Sequence, residues 1–190
     1  MRTLILLFTL IFFGVSPLRA QEQISLPSIF GTYVGYADVI DEEGQSAEQR
    51  ETDTILEAYD NNGVRIRWIN VTMKDGRRDW DGVTRRVSEV GFVPSDYGDF
   101  LVRGAAYDPF KAKQDFRPYH GSPVQWALLD TEGLHVYSFV IEDDGQFELQ
   151  RYSRDPDDGG LRLEFERFDD GDVKRRIEGH AVRAIAISGN

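Results

Sequence analysis

Leu161-Arg162-Leu163-Glu164-Phe165-Glu166-Arg167-Phe168-Asp169-Asp170-Gly171-Asp172-Val173 holds the pattern that decides the fold. Leu161, Leu163 and Phe165 fall on one face of an extended chain, with Arg162, Glu164 and Glu166 on the other. Side chains alternate across a strand, so this spacing predicts one covered and one wet face, as in an antiparallel sheet. Asp169-Asp170-Gly171 then reads as a turn, because Asp bonds its own backbone and Gly takes positive φ without a clash. The unit recurs: Val64, Ile66 and Trp68 alternate with Arg65 and Arg67. Further turn groups stand at Asp60-Asn61-Asn62-Gly63, Lys74-Asp75-Gly76, Thr131-Glu132-Gly133, Asp143-Asp144-Gly145 and Asp157-Asp158-Gly159-Gly160. They separate expected strands Val124–Leu129, Leu134–Ile141, Gln146–Tyr152, Leu161–Phe168 and Val173–Ala184. Earlier strands are expected at Thr32–Ile40, Glu51–Tyr59, Val64–Met73, Thr84–Phe92 and Phe100–Tyr107. Each strand pairing with the next predicts an all-β, up-and-down antiparallel β-barrel of about 8–10 strands, which also removes exposed edges.

Residues 1–20 read as a secretory signal peptide: Arg2, an apolar run from Leu4 to Val15, then Ser16, Pro17 and Ala20. Residues 21–190 form the single barrel domain, and no integral membrane span is expected. The protein is therefore placed in the periplasm or secreted. Loss of Arg2 and Arg19 makes the formal charge of −11 more negative by two. That balance disfavours nucleic acid and anionic membranes as partners. There is no cysteine, so neither disulfides nor thiolate chemistry enter, and the core alone stabilises the fold. Asn70-Val71-Thr72 matches a glycosylation acceptor but lies within a strand pattern.

One connection breaks the rhythm. Asp108 to Pro123 is long and sets Phe110, Phe116 and Tyr119 among prolines, as in a lid or binding loop. Leu134–Ile141 is apolar on both faces, so its outer side is expected to meet that loop or a partner subunit. Monomer and homodimer both remain open.

Gly31-Thr32-Tyr33-Val34-Gly35 resembles the opening of lipocalin-like (calycin) barrels, in which a Gly-x-Trp motif starts the first strand and closes one barrel end. Tyr33 stands where that family has Trp. The resemblance implies that Arg183 packs over the Tyr33 ring. The same residues resemble the Gly-x-Trp-x-Gly pattern of nitrobindin-like barrels, which would imply haem held by His180; otherwise no cofactor is expected.

Projecting the alternation inward gives the first candidate site. Arg151 follows from Phe147 and Leu149, Arg167 from Leu161, Leu163 and Phe165, and Arg175 from Val173 and Ile177. A buried guanidinium requires an anion, and its fork matches a carboxylate or phosphate. Pairing with local Asp or Glu is the plainer alternative. Trp68, Trp126, Tyr137, Phe139, Tyr33 and Tyr36 would line a cavity or simply fill a core. His120, beside Tyr119 and downstream of Asp108 and Asp115, has the chemistry of a general base or of a solvated loop residue. His120, His135 and His180 lack zinc spacing, and the acidic turns lack the calcium-loop pattern, so no metal is expected.

The expected function is an exported barrel that binds a small, mostly hydrophobic molecule with an acidic head group through Arg151, Arg167, Arg175, Trp68, Trp126, Tyr33 and His120. One alternative is a periplasmic isomerase, cyclase or hydrolase using His120, Asp108 and Asp115 beneath the long loop. Another is an envelope interaction protein with a filled barrel.

Overall fold

The computed structural model describes residues 24–96, 100–104 and 123–185. The expected signal segment, the bulk of the Asp108–Pro123 connection and His120 lie outside the described residues. A short helix α1 (Leu26–Ile29) precedes ten strands: β1 (Gly31–Ile40), β2 (Ser46–Tyr59), β3 (Gly63–Met73), β4 (Arg85–Pro94), β5 (Phe100–Arg103), β6 (Val124–Leu129), β7 (Leu134–Ile141), β8 (Phe147–Asp157), β9 (Gly160–Asp169) and β10 (Asp172–Arg183). Each strand pairs antiparallel with the next, and β10 returns to β1, giving a closed ten-stranded barrel. Among the described residues no helix is long and apolar enough to cross a membrane.

The tight turns behave as their residues dictate. Asp170 and Gly171 both take positive φ, 48° and 91°, between the paired ends Asp169 and Asp172. Two such residues in a row match the right-handed twist of a hairpin. β8 runs further than its apolar alternation suggests, through Arg154-Asp155-Pro156-Asp157. Pro156 is tolerated because β7 pairing ends at Arg154, so on that side no ladder needs its missing N–H.

One end of the barrel is packed solid. Ile29, Tyr33, Leu56, Val64, Ile66, Phe92, Leu134 and Leu161 are each at most 2% exposed and form one cluster. Each such aliphatic or aromatic side chain contributes about 1.5–3 kcal/mol by leaving water. Tyr33 anchors the closure. Its hydroxyl donates to the Ile29 carbonyl at 2.9 Å and accepts from Arg183 at 2.6 Å. Arg183 also donates to the carbonyls of Phe30 and Ser28 at 2.9 and 3.0 Å, with its guanidinium 5.1 Å from the Tyr33 ring centre. The arginine-over-ring contact implied by the resemblance is therefore present. Tyr33 serves this plug rather than a ligand cavity.

The β1–β10 seam is unusually close. A methyl group on Gly35 would stand 2.0 Å from the His180 carbonyl oxygen, and one on Gly179 would stand 2.4 Å from the Tyr36 carbonyl oxygen. Both positions need glycine for space rather than for φ. We expect Gly35→Ala to lower unfolding free energy by roughly 1–3 kcal/mol, as overpacked interiors do. An unchanged urea midpoint would contradict this account of the seam. Arg183→Met should lower stability by about 1–2 kcal/mol through the lost charged hydrogen bonds and ring contact. A thermal melt coinciding with the wild type would show the plug to be dispensable.

Candidate ligand-binding cavity

Beyond the solid end the barrel is hollow, enclosing a cavity of about 300 Å³. The alternation that buries Val90 and Phe92 also brings in Ser88 and Arg86 on β4. That of Leu56 and Thr54 brings in Thr52 and Arg50 on β2, and that of Ile66 brings in Trp68 and Asn70 on β3. β8 contributes Gln150, Tyr152 and Arg154; β9 contributes Leu163, Phe165 and Arg167; β10 contributes Arg175 and Ile177. Asn70 thus faces the interior, where the glycosylation match has no access.

Among the described residues five guanidiniums line this space, and two of them are matched by acids. Arg50 pairs with Glu48, and Arg167 lies 3.7 Å from Glu148 and 3.4 Å from Asp169. Among the described residues, Arg86, Arg154 and Arg175 make no ion pair. Nε of Arg175, like that of Arg167, is buried without a hydrogen-bond acceptor among the described residues. Burial lowers the Arg175 pKa, and neighbouring Arg50, Arg167 and Arg86 lower it further against the opposing pull of Glu48. Arg154 is 7% exposed, and burial pulls its pKa down to about 10. It donates to the Ser153 carbonyl at 2.7 Å, while its Nε has no acceptor among the described residues. At neutral pH both groups remain charged, in surroundings where an unmatched charge is costly.

Between these charges sits an aromatic belt. The Tyr152 ring lies 5.5 Å from Trp68 and 4.7 Å from Phe165. The Tyr152 hydroxyl donates to Gln150, whose amide donates to Glu148. Burial chiefly raises the Tyr152 pKa, Arg154 opposes this, and Glu148 adds to it.

The structure brings together Arg167, Arg175 and Trp68 from the expected set. It separates the rest. Arg151 points outward and donates to Glu166 at 2.6 Å. Its inward placement fails because Phe147 and Leu149 are not interior: Phe147 packs at a tilt against Phe139, ring centres 5.8 Å apart, on the face of the β7–β8 ladder away from the cavity. Trp126 is likewise external, stacked on Tyr137 at 5.2 Å beside the inward Ala127. Tyr36 is 55% exposed. The aromatic outer surface of β6–β8 accounts for the two-faced apolarity of Leu134–Ile141. Val173 also faces out, because the β9–β10 register shifts between Val173 and Arg175; Ile177 alone carries the inward phase. His180 lies on the outer face, 3.8 Å from Asp157. Arg50, Arg86 and Arg154 escaped the sequence reading. Counting back by twos from buried apolar residues would have found the first two.

His135 bridges Ser153 and Asp130, with Nδ1 2.9 Å from the serine Oγ and Nε2 3.2 Å from the aspartate. The order matches a catalytic trio, but Ser153 is 2% exposed, which closes its hydroxyl to a substrate. The trio instead ties β7 and β8 to the turn at Asp130. Burial pushes the Asp130 carboxyl up, but the amides of Glu132 and Gly133 together with His135 outweigh it and hold the pKa below its ordinary value. A lowered carboxyl pKa stabilises the fold above the unfolded value of about 3.9, and that stability is lost as pH falls through the folded value. We expect Asp130→Asn to flatten the acid limb of stability between about pH 5 and pH 3, followed by urea unfolding. An acid limb identical to the wild type would remove Asp130 from the balance.

No family model matches this chain, and no curated protein matches it. Among solved structures it is similar to a protein of unknown function from the DUF3598 family of Nostoc punctiforme, with TM-score 0.51 and 11% identity over 90% of this chain and 53% of that one. The chain thus spans about half the length of that protein. The likeness is one of fold.

Proposed function

We propose that this protein is an exported carrier that holds a small amphipathic anion inside its barrel. The observation that carries the reading is Arg175, a cavity-lining guanidinium with a buried Nε and no ion pair among the described residues. Export rests on the signal pattern of residues 1–20. The cavity lies at the small end of the range for ligand pockets, so a compact body fits better than a long chain. Its apolar part would rest on Trp68, Tyr152, Phe165 and Ile177. A ring burying about 150 Å² gains roughly 4 kcal/mol. Micromolar affinity requires about 8 kcal/mol, so apolar contact alone falls short. A charged hydrogen-bonded pair adds roughly 1.5–3 kcal/mol and brings the total toward that value. Specificity in this reading belongs to the arginines, and the aromatic belt supplies the remaining affinity.

The test compares 4-phenylbenzoate with its neutral counterpart 4-phenylbenzamide, titrated against tryptophan emission. We expect saturable quenching by the acid, at least tenfold weaker binding of the amide, and loss of most quenching in Trp68→Phe. Equal affinity for acid and amide, or no saturation by either, would overturn the proposal.

A further inference from the structure

We propose that the cavity recognises a molecule bearing two acidic groups, one at each end of a short aromatic or apolar body. This deepens the carrier reading and rests on it. The β8–β9 ladder orders the wall in steps. Arg154 pairs with Leu163, then Tyr152 with Phe165, then Gln150 with Arg167, then Glu148 with Asp169. Arg167 in turn stands opposite Arg175 on β10. The two cationic levels, Arg154 and the Arg167–Arg175 pair, are therefore separated by the ring level. Leu163 to Arg167 is four residues, or about 13 Å of strand at 3.3 Å per residue.

The two levels differ in what already satisfies them. Near the rim, Glu48 pairs with Arg50 and Glu148 and Asp169 flank Arg167, leaving Arg86 and Arg175 without an ion pair among the described residues. At the deeper level Arg154 makes no ion pair among the described residues and has one backbone acceptor; the neighbouring Asp155 acts on it by charge alone, its carboxylate being paired with Arg162. A molecule with a single acid satisfies one level and leaves the other guanidinium desolvated. A rod with acids at both ends satisfies both and lays its body against Trp68, Tyr152 and Phe165. The length of the arginine side chains takes up part of that span, so the match is to a body of one or two rings.

The full chain is titrated by calorimetry at neutral pH with biphenyl-4,4′-dicarboxylate against 4-phenylbenzoate, and with terephthalate against benzoate to sample a shorter reach. At least one diacid should bind tenfold or more tightly than its monoacid, and Arg154→Met and Arg175→Met should each reduce that diacid to the affinity of the monoacid. If both diacids bind no better than their monoacids, the two-level inference fails while the single-anion carrier stands. If no acid binds, both fail. A diacid advantage that survives Arg154→Met also overturns the inference, since the second group then lies elsewhere. Should Arg154→Met not fold, the wild-type ratio together with Arg175→Met decides.

Discussion

Closure of β10 onto β1 is the constraint from which the rest follows. An open sheet would present its inner arginines to water, where a guanidinium is content without a partner. Closing the ring removes that water and raises the electrostatic stakes of every inward charge. The seam achieves this by bringing two backbones to a distance that only Gly35 and Gly179 permit. Arg183 then fastens the end of β10 to α1 and Tyr33, so one mouth is sealed by the same strand that completes the wall.

The barrel divides its labour along its axis. The sealed end is apolar and close-packed, and supplies the burial that stabilises the fold. The other end reverses the usual arrangement. Its interior carries arginine, asparagine and glutamine, while the outer surface of β6–β8 carries Trp126, Tyr137, Phe139 and Phe147. A chain of formal charge −11 thus keeps an excess of cations inside one cavity and its acids largely outside, as in the Glu164, Glu166 and Glu178 cluster on the exterior. Such segregation focuses a positive potential within a negative envelope, so an anion gains most where the wall excludes water.

Much of the architecture was legible in the chain because tight turns and period-two alternation are local properties. Asp170-Gly171 needs no distant partner to turn, and Leu161, Leu163 and Phe165 point one way whatever they meet. The site was legible only in part. Arg167 shares a strand with three apolar residues that reveal its phase, whereas Arg151 shares one with Phe147 and Leu149, whose apolarity belongs to the outer surface. Periodicity tells which residues share a face; it does not tell which face is inside when both carry aromatics.

Alone, the sequence determined an all-β meander with its turns, most strand positions and the arginines that two of its strands would aim at one another. The tertiary structure decided which face became the interior, which guanidiniums lost their acids, and that Arg154 would be buried beneath an aromatic belt. The physical reason is range. Backbone conformation is chosen by neighbours a few residues away, whereas inside and outside, paired and unpaired, exist only once ten strands have closed a ring.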